Sequence, residues 1–245
     1  MALKTILNYS PNFNSNKRVP SEVKFIVFHY TGMKKELEAI NRLTDIQSKV
    51  SCHYLIKNNG EVISMVPDLY VAWHAGKSTW KSFKSLNRNS IGVEITNPGH
   101  GPDYKKFSKN QIFSLLKLSK FLIKKYKIQS KNILGHSDIA PQRKKDPGEK
   151  FPWEYLAKKN IGIWHNLKKQ KLKKLRKTKC NEITKKNFLN NLLKIGYSKK
   201  MRNNIKKREY LSLVVKAFQR RFRPELINGK IDQECLLISE NLIKI

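Results

Sequence analysis

The sequence predicts an α/β domain built on a central mixed β-sheet flanked by helices, followed by a small C-terminal three-helix domain. Three observations carry that expectation. "VKFIVFHYTG" and "SIGVEITN" are near-continuous apolar runs rich in β-branched and aromatic residues, the pattern of strands buried on both faces. Segments with helical spacing separate such strands, as α/β architecture requires. "CHYLIKNNGEVISMVP" reads as two short strands joined at Asn58-Asn59-Gly60, a hairpin signal that adds antiparallel pairing and makes the sheet mixed.

Taken in order, residues 1 to about 22 read as an extended lead-in, with Pro11, Pro20 and several asparagines. The first buried strand follows and closes at Gly32. "ELEAINRLTDIQSK" places Leu37, Ile40, Leu43 and Ile46 three residues apart, which predicts an amphipathic helix. After the hairpin and the second buried strand comes "SKNQIFSLLKLSKFLIKKYK", a long amphipathic helix with Ser108 as its N-cap. "NILGHSD" is a last strand, and it leads into the Pro-bounded segment "HSDIAPQRKKDPG", read as a loop that proline keeps from being helix.

Beyond about Trp164 the character changes. Residues 158–245 hold 25 basic and 6 acidic residues, a denser positive charge than the longer part before them. "KKQKLKKLRKTK", residues 168–179, carries eight cations in twelve positions and reads as a solvated helical linker. "NFLNNLLKIGY", "YLSLVVKAFQRRFRPE" and "DQECLLISENLI" are helical patterns. The expected division is residues 1–165, a basic linker at 166–180, and a helical module at 181–245.

The net charge of +33 over 245 residues favours polyanionic partners such as nucleic acid, anionic membranes or a wall polymer, unless biased codon usage on a solvated surface is its cause. No nucleic-acid recognition motif is present, so specific nucleic-acid binding is not expected. No segment approaches the roughly 18 apolar residues of a membrane span. The N-terminus lacks a signal-peptide core, which points to the cytoplasm, with a periplasmic or wall-associated location as the alternative. Cys52, Cys180 and Cys235 are too widely spaced for a thiolate metal site or a disulfide framework.

The chemistry concentrates at strand ends. His29 terminates the first buried strand, on the face shared by Phe25 and Val27, and His136 terminates the last. With Asp146 on the following loop they offer two nitrogens and one oxygen, a set suited to Zn²⁺ with one position open for water. Glu94 lies with Gly92 on the face opposite Ile91, Val93 and Ile95; a carboxylate inside such a strand is costly unless paired or used, and a general base is one use. Lys144, two residues before Asp146, could stabilise an oxyanion beside the metal. His100 and His165 carry no such signal and read as surface residues.

"FIVFHYTG", "SCHYLIKNNGEVISMVPD", "AWHAG", "SIGVEITN" and "GHSDIAPQRKKDPG" together resemble, in order, the motifs of the zinc-dependent N-acetylmuramoyl-L-alanine amidases of the AmpD and AmiD type, a family that also contains the peptidoglycan recognition proteins. The likeness spans about residues 6–157. It implies one Zn²⁺ held by His29, His136 and Asp146, with Glu94 as acid/base residue and Lys144 as oxyanion stabiliser. His53, Trp73 and His74 would lie around a substrate cleft, although Trp73 equally suits the core and the two histidines suit a supporting role behind the ligands. Gln142 stands where many relatives have Gly. The implied reaction is hydrolysis of the amide between N-acetylmuramic acid, which can be the 1,6-anhydro form, and L-alanine, in peptidoglycan or its turnover fragments. A non-catalytic peptidoglycan-binding protein is the alternative. "LSLVVKAFQRRFRPELINGKID" is similar to the core of three-helix peptidoglycan-binding domains. Oligomeric state is not legible.

Overall fold

The computed structural model describes residues 5–199 and 205–245. In chain order the elements are β1 (Ile6–Leu7), β2 (Phe13–Asn14), β3 (Phe25–Tyr30), α1 (Glu36–Thr44), β4 (Tyr54–Ile56), β5 (Val62–Ser64), β6 (Val71–Ala72), β7 (Thr79–Trp80), β8 (Phe83–Lys84) and β9 (Ser90–Ile95). They continue with α2 (Lys109–Tyr126), β10 (Ile133–Gly135), α3 (His136–Ile139), α4 (Trp153–Ala157), α5 (Lys169–Leu175), α6 (Glu182–Ile195), α7 (Lys207–Phe222) and α8 (Gln233–Leu242).

Six strands form the sheet, in the order β1-β5-β4-β9-β3-β10. All neighbours run parallel except β4 and β5, the hairpin pair read from Asn58-Asn59-Gly60. The sheet is therefore mixed, as the sequence predicts. The lead-in is more structured than expected, because β1 adds to the sheet edge beside β5 and β2 pairs with β6.

Strand alternation sends the two faces of β3 into different layers. Ile26 and Phe28 join Ile91, Val93, Ile95 and the α2 residues Leu115, Leu118 and Leu122 in one core. Phe25 and Val27 point the other way. There they share a core with Leu134, Trp80 and the C-terminal residues Phe188, Tyr197, Val214 and Phe218. The helical part thus covers the sheet face that α2 leaves open, and the Trp80 and Tyr197 rings meet at 5.0 Å.

Ser108 caps α2 as expected: its side chain accepts the Gln111 amide, and the Gln111 side chain accepts the Ser108 amide. Other expectations shift. α1 ends at Thr44, because Asp45 turns the chain into a short 3₁₀ segment, its side chain accepting the Gln47 amide. The buried face of α1 is Ala39 and Leu43, whereas Leu37 and Ile46 are 66% and 63% exposed. The basic run is helical only over Lys169–Leu175, and it is not wholly solvated, since Leu172 is buried in the C-terminal core. His165, read as a surface residue, is buried. The three cysteines are buried and free, and no helix among the described residues is long and apolar enough to cross a membrane.

Candidate metal centre and active-site cavity

Three adjacent parallel strands, β9, β3 and β10, deliver their C-terminal ends to one place. His29 and Glu94 are register partners on β3 and β9. His136 follows directly on β10 and opens α3, so the segment read as loop begins with one helical turn. That turn ends before Pro141, and the chain then returns through turns to Asp146. The Ser137 amide donates to the Asp146 carbonyl at 2.8 Å, tying the two limbs together.

His29 Nδ1 lies 2.9 Å from His136 Nδ1 and 3.0 Å from Asp146 Oδ2, and His136 Nδ1 is also 3.0 Å from Asp146 Oδ2. All three residues are buried, and they form a group able to hold a metal ion. Zinc–ligand bonds of about 2.0 Å in tetrahedral geometry set ligand atoms roughly 3.3 Å apart, close to this triangle. Two imidazole lone pairs and a carboxylate oxygen converging on one point suit a cation.

The surrounding hydrogen bonds fix which nitrogen of His29 is free. The Ser90 hydroxyl donates to the Leu86 carbonyl at 2.6 Å, which leaves its oxygen to accept His74 Nε2–H at 3.2 Å. His74 Nδ1 is then an acceptor and takes His29 Nε2–H at 3.0 Å. His29 Nδ1 is left with its lone pair facing the triangle. His136 Nε2 lies 3.1 Å from the Ala75 carbonyl and 3.1 Å from Arg143 Nη2; donation to the carbonyl leaves its Nδ1 facing the triangle as well. Such partners orient ligating histidines and set their tautomer. Burial and the neighbouring His136 push the His29 imidazole down to about 4, so it is neutral near pH 7.

A cavity of about 470 Å³ opens over this group, with Tyr30, Trp73, His74, Glu94, His100 and Lys144 in its walls. Burial, and then Asp146, push Glu94 up to about 8, and its Oε2 is buried without a hydrogen-bond partner. Trp73 lines the cavity with its indole N–H donated to Asn14 Oδ1 at 2.6 Å. Arg42, Arg143 and Lys145 add positive charge to the walls.

His53 is not brought to the cavity. It is fully buried, its Nδ1 accepting the Gly92 amide at 2.9 Å and its Nε2 facing the Tyr70 carbonyl at 3.1 Å. His74 does reach the cavity wall, where its bond to His29 makes it a support for a candidate ligand. His100 is exposed, as read, and also borders the cavity: its Nδ1 accepts the Tyr30 hydroxyl at 2.8 Å and its Nε2–H donates to Glu149 at 2.8 Å. Ser90 was missed, since a serine opening a strand gives no chemical signal. Gly92 was visible only as a small residue on the Glu94 face.

Residues 19–149 match the family model described as N-acetylmuramoyl-L-alanine amidase. The N-acetylmuramoyl-L-alanine amidase AmiD of Escherichia coli (strain K12) is 36% identical over 234 residues, covering 91% of this chain and 83% of the relative. The 1,6-anhydro-N-acetylmuramyl-L-alanine amidase AmpD of Haemophilus influenzae is 33% identical, covering 60% of this chain and 88% of the relative. Among solved structures, AmiD from E. coli in complex with the substrate anhydro-N-acetylmuramic acid-L-Ala-D-gamma-Glu-L-Lys superposes with a TM-score of 0.79 at 34% identity, covering 91% of this chain and 89% of that one. AmpDh3 from Pseudomonas aeruginosa in complex with anhydromuramic pentapeptide superposes with a TM-score of 0.76 at 28% identity, covering 94% and 95%.

Proposed function

The chain belongs to the N-acetylmuramoyl-L-alanine amidase family, and on that premise we propose that it is a zinc hydrolase whose metal is held by His29, His136 and Asp146. It cleaves the amide between N-acetylmuramic acid and L-alanine, with anhydro-muramyl peptides as the substrate class. The observation that carries the reading is the buried His29–His136–Asp146 triangle at the floor of a cavity that also holds Glu94 and Lys144.

The donor set, two imidazoles and one carboxylate, fits zinc in a site with room left for solvent and substrate. When bound there, zinc supplies Lewis acidity and makes water a competent nucleophile near neutral pH. The chain's own residues do the rest. Glu94 takes a proton from the attacking water and passes it to the departing L-alanine nitrogen. The Lys144 ammonium lines the same cavity and would offset the charge that develops on the scissile carbonyl oxygen. His74 and Ser90 keep the His29 lone pair available. Arg42 and Lys145 present charge complementary to the carboxylates of a peptide stem.

In this reading residues 1–165 supply the chemistry, residues 166–180 are a basic connection, and residues 181–245 form a peptidoglycan-binding-like helical module. The test is mass spectrometry of products from anhydro-muramyl tripeptide and from intact peptidoglycan, each with zinc or with chelator and beside Glu94→Ala. Zinc-dependent release of L-alanine-terminated peptide, absent in the variant, is expected. Bound metal with intact substrate in every sample would instead mark a non-catalytic binding protein.

A further inference from the structure

Two consecutive arginines near the end of α7 reach the segment that carries His136 and Asp146. The Arg221 side chain is 3% exposed. Its Nη1 donates to Asp138 Oδ2 at 2.6 Å and its Nη2 to the Ile133 carbonyl at 2.9 Å, while the guanidinium lies 4.3 Å from the Trp153 ring centre. Asp138 Oδ2 also accepts the Gly135 amide at 2.8 Å, and its Oδ1 accepts the Tyr197 hydroxyl at 2.8 Å. This carboxylate sits two residues after His136, and both side chains that donate to it come from the C-terminal helical part.

The other limb of the segment carries a longer ionic contact without a hydrogen bond. Arg220 Nε lies 3.8 Å from Glu149 Oε2, three residues after Asp146. Glu149 accepts His100 Nε2–H, and His100 accepts the Tyr30 hydroxyl, so this contact continues into the cavity wall. Between the limbs, residues 140–149 contain turns but no regular element, and a segment of that kind keeps a fixed shape only through its anchors.

We propose that Arg221 is a positioning residue for the metal site. Through Asp138 it fixes the helical turn that begins at His136, and with the Arg220–Glu149 contact it sets the shape in which His136 and Asp146 meet. The C-terminal helices are therefore part of the scaffold of the metal centre, whatever else they bind. This inference rests on the zinc reading above and deepens it. A buried guanidinium holding a carboxylate with one nitrogen and a carbonyl with another is a demanding contact. Lysine reproduces its charge but not its fork, and an apolar side chain leaves the Asp138 charge buried without it.

The test uses the full-length chain. Zinc affinity is measured by chelator competition, and kcat and KM on anhydro-muramyl tripeptide at saturating zinc, for the unaltered protein, Arg221→Met, Arg221→Lys, Tyr197→Phe and Arg176→Gln. Arg176 pairs with Glu234 inside the helical part and does not touch the ligand segment. Loss of an outer partner of a metal ligand typically weakens metal binding about 10- to 100-fold. Arg221→Met is expected to lose zinc affinity by about that factor and to lose kcat with little change in KM. Arg221→Lys should recover part of the loss, and Tyr197→Phe should lose less in the same direction. Arg176→Gln should melt earlier yet bind zinc as tightly as the unaltered chain. A folded Arg221→Met with zinc affinity and kcat within twofold of the unaltered chain overturns the proposal. Equal losses in Arg176→Gln also overturn it, because general loosening then explains them. Should Arg221→Met fail to fold, Arg221→Lys and Tyr197→Phe decide by the same twofold criterion. An unaltered chain that neither binds zinc nor hydrolyses substrate refutes the zinc amidase reading itself, a result distinct from any of these.

Discussion

The His74 imidazole packs directly on the backbone of Gly92: a Cβ at position 92 would stand 2.3 Å from His74 Cγ. No side chain fits there, so the smallest residue of β9 is what allows His74 to lie between Ser90 and His29. Gly92→Ala must push the ring away and break the bond that presents His29 Nδ1 to the proposed metal site. Overpacking of this kind costs about 1–3 kcal/mol. Expected is a protein that still folds, melts several degrees lower, and loses zinc affinity and kcat together. Unchanged zinc affinity in chelator competition would mean that His29 is oriented without His74.

Glu94 allows a pH prediction on the chelated protein. Its folded-state pKa, about 8, stands above the ordinary 4.5, so the fold favours the protonated form. That contribution is complete below pH 4.5 and is lost as pH rises towards 8. His29 acts in the opposite sense. Its pKa falls from 6.5 to about 4, so its contribution is present above 6.5 and lost as pH falls towards 4. The two oppose each other below 6.5, and Glu94 acts without that opposition between 6.5 and 8. Thermal melts with chelator should therefore show stability declining across pH 6.5–8, by less than about 1.4 kcal/mol per pH unit, the ceiling for one group. Glu94→Gln should flatten that decline while abolishing hydrolysis. A decline that persists in Glu94→Gln would assign it to another group.

Much of this site was legible because its chemistry is carried by residues at strand ends, where alternation and apolar context say which way a side chain faces. His29, Glu94 and His136 are of that kind, and the turn-rich segment after β10 marked itself by its prolines. What the sequence did not show depends on distant packing. His53 and His74 have similar local surroundings, but one bonds the backbone of β9 in the interior while the other reaches the cavity. Leu37 and Ile46 fit a helical stripe on paper; α1 stops at Thr44 and buries Ala39 and Leu43 instead. The pairing of Arg221 with Asp138 spans 83 residues and has no local signature.

Metal should matter to the fold as well as to the reaction. Without a cation, two lone pairs and a carboxylate oxygen sit about 3 Å apart in the interior, and the arrangement is held only by its neighbours. A ligand at a thousand times its dissociation constant stabilises the native state by about 4 kcal/mol. For a chain of this size that is a rise of about 10 °C in Tm. Calorimetry with zinc and with chelator checks this, and Asp146→Asn should lose most of the difference. An equal melt with and without zinc would contradict the assigned ligands.

The last prediction concerns the sheet face beneath the C-terminal helices. Phe25, Val27 and Leu134 are almost wholly buried there, in one core with Phe188, Tyr197 and Phe218. Removing residues 166–245 would bare that face, along with Trp80, whose indole packs on Tyr197. Contiguous apolar patches beyond a few hundred Å² are rare on soluble monomers and drive association. The same cut removes Arg221 and Tyr197 from Asp138, leaving its carboxylate without the guanidinium and hydroxyl that hold it. A chain ending at residue 165 is therefore expected to aggregate or to lose cooperative unfolding, even though it retains every candidate ligand and Glu94. Static light scattering and a thermal melt decide the point. A monomeric fragment with a sharp transition near that of the full chain would show that the catalytic part stands alone and that the helices are held to it for binding only.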